Sequence, residues 1–179
     1  SPKCPSNKRP YSAGAHGKGK QKKLSTYGEL LLEKQKLKAY YGLTEQQLSI
    51  VYQRAKKGKQ QTDQKLLIFL EMRLSSVVFR CGFANSIFAA KQFVSHRHIK
   101  VNGKPVDKPS FMVKPGMVVS INPEKSPSIA QVARNANCVV PPYLEVDREN
   151  CKCTISRWPL YEEIPCNIEI MRVIEYYAR

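Results

Sequence analysis

A predicted helix followed by a tight β-hairpin, residues 80–106, is the stretch that most constrains the fold of this 179-residue chain. Asn85 and Ser86 are good helix N-caps, because each offers a side-chain oxygen to unpaired backbone N–H groups. Apolar residues at helical spacing follow, and a short alternating strand then leads to Asn102-Gly103. This dipeptide strongly favours a two-residue hairpin turn, since both residues tolerate positive φ.

The polar side of this helix–hairpin unit carries amide, hydroxyl and cationic side chains. Such groups bind phosphates and sugar hydroxyls, so we predict a nucleic-acid-binding surface there. Its predicted members are Asn85, Lys91, Gln92, Ser95, His96, Arg97, Lys100, Asn102 and Lys104. His96 and His98 could instead be the acid and base of an enzyme, although histidines at such a join more often contact backbone or phosphate.

The charge of the chain points to the same kind of partner. The net charge is +16, and residues 1–142 contain 25 Lys+Arg against 7 Asp+Glu, whereas residues 143–179 contain 5 against 7. A basic excess of this size favours a polyanion, with nucleic acid as the first choice and an acidic membrane surface as the alternative. No apolar run approaches the ~18–20 residues of a membrane span, so we predict no membrane insertion. No signal peptide is recognisable, and because the chain does not begin with Met, upstream residues could be missing.

Six cysteines are present, and an even number would suggest disulfides in a secreted protein. Nothing else indicates secretion, and Cys81 and Cys138 lie in apolar surroundings, so we predict reduced, mostly buried thiols in a cytosol-like compartment. Cys151 and Cys153 could form half of a zinc site. We favour two positions on one face of a strand, because the sequence has no CxxC and its histidines do not cluster with cysteines.

The N-terminal residues are rich in Pro, Gly and Lys and contain no acidic residue. They are not apolar enough to form a core, so we predict an arm (residues 1–21) that becomes ordered against phosphates; a solubilising tail is the alternative. The aromatic rings of this segment can stack on bases or riboses. The predicted RNA-binding residues in and just after the arm are Lys8, Arg9, Tyr11, His16, Lys18, Lys20, Lys22 and Lys23.

Three helices are predicted to follow. The first, residues 26–41, buries Leu30, Leu37 and Tyr41 and keeps its lysines outside that stripe. The second opens with a Thr44–Gln47 capping box and ends in a lysine cluster, whose cations suit a helix C-terminus and could equally bind RNA. The predicted RNA-binding residues on these two helices are Lys34, Lys36, Lys38, Arg54, Lys56 and Lys57.

The third helix is predicted from Thr62 or Asp63 to about Val78. Arg73 and Arg80 are seven residues apart, so on one helix they would project from nearly the same face, outside the apolar stripe. Two such arginines could each bind a phosphate, although a solvated helix face would look similar.

The remainder of the chain alternates short strands and turns. Strands are predicted between Pro105 and Ile121, at Leu144–Asp147 and over Cys151–Trp158, with a short helix near residues 129–137. The last segment, residues 167–178, is apolar and aromatic, so we expect it to dock on the body of the protein or on a neighbour.

Ordered motifs over nearly the whole chain resemble one protein family, the bacterial and organellar fourth protein of the small ribosomal subunit. The motifs in this sequence are Lys8-Arg-Pro-Tyr11 with Gly14-Ala-His-Gly17, Tyr27-Gly28, Glu33-Lys-Gln-Lys-Leu37, Tyr41-Gly42, Arg73-Leu74, Val77-Val78, Arg80, Gly82-Phe83, Val94-Ser-His96, Val101-Asn-Gly103, Leu144-Glu-Val-Asp147, Glu163-Ile-Pro165 and Glu175-Tyr-Tyr177.

The resemblance implies an α+β protein of two domains. One is helical, formed by residues 22–64 and completed by residues 164–179. The other, residues 65–163, is α+β with a small, mostly antiparallel sheet, and contains the RNA-binding module at about residues 71–121. The resemblance also implies a structural role that begins with binding to a junction of small-subunit ribosomal RNA. It further implies a role in assembly and decoding accuracy, contact with neighbouring ribosomal proteins, especially the fifth, and a place beside the path by which mRNA enters, in a bacterial cytoplasm or an organelle.

The chain departs from the family at the start of the module helix. Ile87 stands where an arginine is usual, so we expect that Ile87 and Phe88 pack inward instead of contacting RNA. Ser1-Pro-Lys-Cys4 resembles a segment that holds the last of four zinc-binding cysteines in some members. The resemblance therefore implies a possible structural zinc site formed by Cys4 and cysteines upstream of this chain; a free cysteine is the alternative, and no other cofactor is expected.

Two other functions are open at this point. An RNA-modifying enzyme, or its accessory protein, could carry a similar helix–hairpin module, but a catalytic domain of the usual size has no room in this chain. A small free-standing RNA-binding factor is the other alternative, and it would bind ribosomal subunits only transiently.

Overall fold

The computed structural model describes residues 5–11, 14–17, 23–57, 61–123, 125–136 and 138–178. The protein is α+β, as predicted. Its helices are α1 (Pro5–Lys8), α2 (Thr26–Tyr40), α3 (Glu45–Lys56), α4 (Thr62–Glu71), α5 (Leu74–Arg80), α6 (Ile87–Ser95), α7 (Pro127–Arg134) and α8 (Ile170–Ala178), with a 3₁₀ turn at Tyr161–Glu163. Its strands are β1 (Ile99–Val101), β2 (Lys104–Pro105), β3 (Val118–Ile121), β4 (Leu144–Asp147) and β5 (Lys152–Ile155).

The strands form one antiparallel sheet in the order β2-β1-β3-β5-β4. Because side chains alternate along a strand, one face buries Ile99, Val119 and Cys153 while the other is open. The pairing of Lys100 with Ser120, and of Ser120 with Lys152, aligns these three residues across the open face. The sheet therefore presents a polar surface on one side and contributes to a core on the other.

The described residues form two hydrophobic cores, one in a helical unit (α2, α3, α4 and α8) and one in a sheet unit (the sheet with α5–α7). The first is built by α2, α3, α4 and α8, and includes Leu37, Leu48, Leu70 and Val173. The second lies between the sheet and helices α5–α7. Leu70 belongs to the first core and Met72 to the second, so the core changes within two residues. The domain limits inferred from the family resemblance stay a prediction.

The predicted single helix from Thr62 to about Val78 is wrong, because the chain breaks between α4 and α5. The backbone of Met72 and Leu74 pairs with a distant segment: the Val113 N–H donates to the Met72 carbonyl, and the Leu74 N–H donates to the Phe111 carbonyl, each at 2.8 Å. These bonds replace helical ones and turn the chain from one core to the other.

The helix–hairpin unit is confirmed by its local signals. The Ser86 side chain accepts a hydrogen bond from the Ala89 N–H at 3.1 Å, and Asn102 and Gly103 have φ values of 48° and 79°. Ile87 is buried as expected, but Phe88 is 66% exposed, so the expectation that it packs inward is wrong. The core-facing side of α6 is formed by Ile87, Ala90 and Val94, and the helical period turns position 88 away from it.

Other predicted helices and strands are confirmed, although some begin or end at different residues than predicted. The Thr44–Gln47 capping box starts α3. The apolar terminal segment forms α8, which docks on α2 through the Arg172–Glu29 ion pair and through the Tyr27–Tyr176 ring contact. The helix predicted near residues 129–137 is α7, and the last strand is shorter than predicted because it ends at Ile155.

The cysteines that the structure describes are all free thiols, and Cys81, Cys151 and Cys153 are fully buried. Burial raises the pKa of the Cys81 thiol. The prediction that Cys151 and Cys153 lie on one face of a strand is wrong for Cys151. Cys153 lies in β5, whereas Cys151 occupies the preceding turn with a φ of 51°. Within the described residues, no three His, Cys, Asp or Glu side chains are grouped as metal ligands, and none of the helices has the length and apolar character needed to cross a membrane.

Replacing Gly82 with Ala should lower the free energy of unfolding by ~2–4 kcal/mol, as measured by urea denaturation. Gly82 has a φ of 77°, and an added Cβ would lie 2.5 Å from Cys138 Sγ and 2.9 Å from Ala136 Cβ. Gly116→Ala is the matched control, because Gly116 has a similar φ of 83° and no atom within 4 Å of an added Cβ. Equal losses in the two variants would show that steric crowding at Gly82 contributes nothing.

Candidate nucleic-acid interface

The α5–β3 segment combines a compact fold with an excess of positive charge. Residues 72–121 contain eight Lys+Arg, and Asp107 is their one acidic residue. Five of the cations lie together just after α6, on the β1–β2 hairpin and on the loop that leads to β3: Arg97, Lys100, Lys104, Lys108 and Lys114. This part of the molecule, called here the module surface, is therefore electrostatically suited to a polyanion.

The C-terminal end of α6 supplies one side of the module surface. Gln92, Ser95 and His96 are exposed there. Arg97 follows with a φ of 62°, and this left-handed residue turns the chain from α6 into β1. The Arg97 Nη2 lies 2.8 Å from Asp107 Oδ2, and this hydrogen-bonded ion pair lowers the pKa of Asp107. Because the Arg97 side chain stays 71% exposed, it can still reach a phosphate.

The β1–β2 hairpin supplies the other side. Lys104 is exposed opposite Val101, and Lys100 is half-buried on the open face of the sheet. Asn102 is exposed at the turn, and its Oδ1 accepts a hydrogen bond from the Val118 N–H at 2.8 Å. That bond fixes the hairpin against β3, so Asn102 positions the neighbouring lysines.

The open face of the sheet favours phosphate over base contacts. Its side chains are polar or aliphatic, and none is aromatic: Lys100, Val118, Ser120, Glu145, Asp147, Lys152 and Thr154. Single-stranded bases are usually held by stacking on aromatic rings. A face without such rings, with acidic residues confined to β4, is instead suited to a nucleic-acid backbone passing over β1 and β3.

Lys34 and Lys91, which were predicted to contact RNA, are held by contacts within the protein. Lys34 is 4% exposed, its Nζ lies 2.8 Å from Glu45 Oε1, and it also lies over the ring of Tyr176. The expectation that Lys34 lies outside the buried stripe of α2 is wrong, because α8 covers that face. Lys91 donates its Nζ to the Gly42 carbonyl, so it joins α6 to the end of α2.

The expected arrangement of Arg73 and Arg80 on one helix face is also wrong. Arg80 Nη2 lies 2.6 Å from Glu71 Oε1, and its side chain is 11% exposed. The fully buried Glu71 also accepts hydrogen bonds from the hydroxyls of Tyr41 and Tyr143. Arg80 therefore holds the two cores together, a role that the sequence did not reveal because Glu71 falls within an otherwise apolar helix.

The remaining predicted residues are placed at the surface or lie outside the described residues. Lys36 and Lys38 pair with Glu33 and Glu45 on the helical unit. Arg54, Lys56, Lys57, Asn85, Lys8, Arg9, Tyr11, His16 and Lys23 are exposed, whereas Lys18, Lys20, Lys22 and Cys4 fall outside the described residues. Their contact with RNA stays a prediction, as does a zinc site at Cys4.

Three cations at or beside the module surface were missed. Lys108 and Lys114 are exposed in the loop between β2 and β3, and Lys152 extends the row formed by Lys100 and Ser120. The charge balance of residues 72–121 could have identified the first two. Nothing local could have identified Lys152, because its place beside Ser120 depends on the β3–β5 pairing.

Comparison with known proteins matches the whole chain. The family described as the ribosomal protein S4/S9 N-terminal domain matches residues 1–71, and the S4 domain matches residues 72–119. Proteins named small ribosomal subunit protein uS4 are similar over nearly the whole of this chain and most of their own length. The protein from Thermoanaerobacter pseudethanolicus is 45% identical over 179 residues, covering 99% of this chain and 86% of its own. Those from Leifsonia xyli and Bifidobacterium longum are 42% and 41% identical, and each match covers 96% of this chain and 86% of theirs.

Proposed function

The chain belongs to the uS4 family of small ribosomal subunit proteins, and from this membership we infer that it is a structural, ribosomal-RNA-binding component of the small subunit and has no enzymatic role. It associates with the ribosome and contacts small-subunit ribosomal RNA and neighbouring ribosomal proteins. The observation that carries the mode of binding is the module surface, where exposed and half-buried cations lie on and beside a hairpin that the Asn102–Val118 hydrogen bond holds against β3.

We propose that the module surface reads the shape of a folded RNA junction through its phosphates. Arg97, Lys100 and Lys104 are its central contacts, with Lys108 and Lys114 beside them. The preformed hairpin supports this mode, because a rigid charged surface can recognise backbone geometry without base contacts. The exposed cations of the arm and of α3 would add further phosphate contacts.

The finer roles are also proposals. A rigid RNA-binding surface that is complete within one chain suits a protein that binds early and directs the assembly of the small subunit. Residues 143–179 hold seven acidic and five basic residues, and they expose Trp158, Leu160 and Tyr161. This composition suits contact with a neighbouring protein, for which the fifth small-subunit protein is the proposed partner. Through that contact and a position beside the incoming mRNA, the chain would support decoding accuracy on a ribosome of bacterial type.

Stoichiometry in salt-washed small subunits tests the structural role. Quantitative mass spectrometry should find about one copy per subunit, because a component buried among RNA phosphates dissociates slowly. A loosely bound initiation factor in the same preparation is the control and should be removed by the wash. Substoichiometric recovery would instead favour a free-standing RNA-binding factor, and recovery only with a modifying enzyme would favour an accessory protein.

A further inference from the structure

A cleft separates the helical unit from the sheet unit near the break between α4 and α5. Its volume is about 260 Å³, which exceeds the space of several water molecules at roughly 30 Å³ each. Arg54 from α3 and Arg73 from the break both line it, together with Gln47, Ser110, Ile50 and Met112. Two arginines thus meet in one recess between the units.

Arg73 is the unusual member of this cleft. The residue is 5% exposed, and its buried Nε has no hydrogen-bond partner. Its guanidinium also makes no ion pair with any residue that the structure describes. Burying an arginine without a partner is unfavourable, and burial accordingly lowers the pKa of Arg73. Arg73 therefore differs from Arg80, whose guanidinium pairs with the Glu71 carboxylate.

The charges around Arg73 add to this imbalance. The positive charge of Arg54 lowers the pKa of Arg73 further, and Arg73 in turn lowers the pKa of Lys91 after the larger effect of burial. Glu71, the acidic residue closest to Arg73 in the sequence, is held by Arg80 and two tyrosine hydroxyls. An anion in the cleft would offset the mutual repulsion of these cations.

The backbone contacts of residue 73 do not require its side chain to be an arginine. The backbone of Arg73 forms an isolated antiparallel bridge with Met112, and the turn of the chain depends on backbone bonds from Met72 and Leu74. An apolar side chain would allow the same bonds. The buried arginine thus destabilises the folded protein, and a bound anion would offset this destabilisation.

We propose that Arg73 and Arg54 bind one phosphate group in this cleft, and that in the ribosome it is a backbone phosphate of the small-subunit RNA. This source of the phosphate rests on the proposed function. Guanidinium groups suit the task because their planar donors match phosphate oxygens. Since Arg54 belongs to the helical unit and Arg73 to the break between units, the bound phosphate would contact both.

The first test uses inorganic phosphate and the full-length chain. Phosphate should raise the melting temperature of the wild-type protein above that in chloride at equal ionic strength. Arg73→Met and Arg54→Gln should lose that rise, and Arg134→Gln, which removes an exposed charge from α7, should keep it. Arg73→Met should melt at or above the wild-type temperature in chloride, because it removes an unpaired buried charge. An unchanged phosphate effect in Arg73→Met would overturn the site.

The second test separates RNA phosphate from free phosphate. Arg73→Met and Arg54→Gln should each weaken binding of a small-subunit RNA junction by about tenfold or more, the scale of one charged hydrogen bond, and Arg134→Gln by much less. If Arg73→Met proves unstable, the RNA affinity of Arg54→Gln decides the test. Arg54 is exposed, so its replacement should not unfold the protein. Loss of the phosphate effect with normal RNA affinity would mean that the cleft binds the free ion only, which overturns the RNA assignment. Failure of the wild type to bind RNA would refute the proposed function instead.

Discussion

Replacing Arg80 with Met is expected to lower the free energy of unfolding by about 3–5 kcal/mol, as measured by urea denaturation. The change leaves the Glu71 carboxylate fully buried without its ion-pair partner. The hydroxyls of Tyr41 and Tyr143 would remain as hydrogen-bond donors to it, at 3.0 and 3.3 Å, but they carry no positive charge. Arg80 also donates to the Tyr40 hydroxyl, so the contact between α2 and α5 weakens as well.

Two further variants separate this effect from charge loss in general. Arg172→Met removes the ion pairs of Arg172 with Glu29 and Glu169. Because these side chains are 39%, 44% and 65% exposed, the change should lower the free energy of unfolding by less than ~1 kcal/mol per pair. Combining Arg80→Met with Glu71→Leu removes both buried charges and should recover most of the lost stability. A loss below 1 kcal/mol for Arg80→Met alone would mean that Glu71 is not held as a buried carboxylate.

The binding constant for small-subunit ribosomal RNA is expected to fall by ~10³-fold or more between 50 and 200 mM salt, measured by filter binding. This estimate corresponds to about six or more neutralised phosphates. We expect five of these contacts to come from the exposed or half-buried cations of the module surface, Arg97, Lys100, Lys104, Lys108 and Lys114, and the others to come from the arm and the end of α3.

Single substitutions show which cations produce this salt dependence. Lys100→Gln and Lys104→Gln should each reduce the slope of the logarithmic binding constant against the logarithm of salt by ~1. Arg134→Gln removes the same charge from α7 and should leave the slope nearly unchanged. A slope near zero for the wild type, or equal reductions in all three variants, would contradict binding through the module surface.

Features encoded by neighbouring residues were predictable from the sequence. Ser86 caps α6, Asn102-Gly103 forms the hairpin turn, and Thr44 opens α3, because each of these signals acts within a few residues. The break between α4 and α5 was not predictable in the same way. Leu66 to Val78 continues a helical pattern, and the chain leaves the helix only because Met72 and Leu74 bond to residues 111–113.

The site was predictable to the same extent. The exposed cations that follow α6 and lie on the hairpin, Arg97 and Lys104, were predictable from periodicity and charge. The burial of Lys34 required knowledge of α8, which lies more than a hundred residues further along the chain. The different surroundings of Arg73 and Arg80 likewise depend on how the helices pack. Arg80 forms an ion pair with Glu71, whereas no described carboxylate pairs with Arg73.

The division of the two cores also bears on the order in which they can form during synthesis. The second core ends with Ile155, so all of its residues have been made while the chain is still growing. The first core needs Ile164, Ile170 and Val173, which are synthesised after every residue of the second core. The core of the RNA-binding module can therefore form first. The core of α2, α3 and α4 is complete only after α8 has been synthesised.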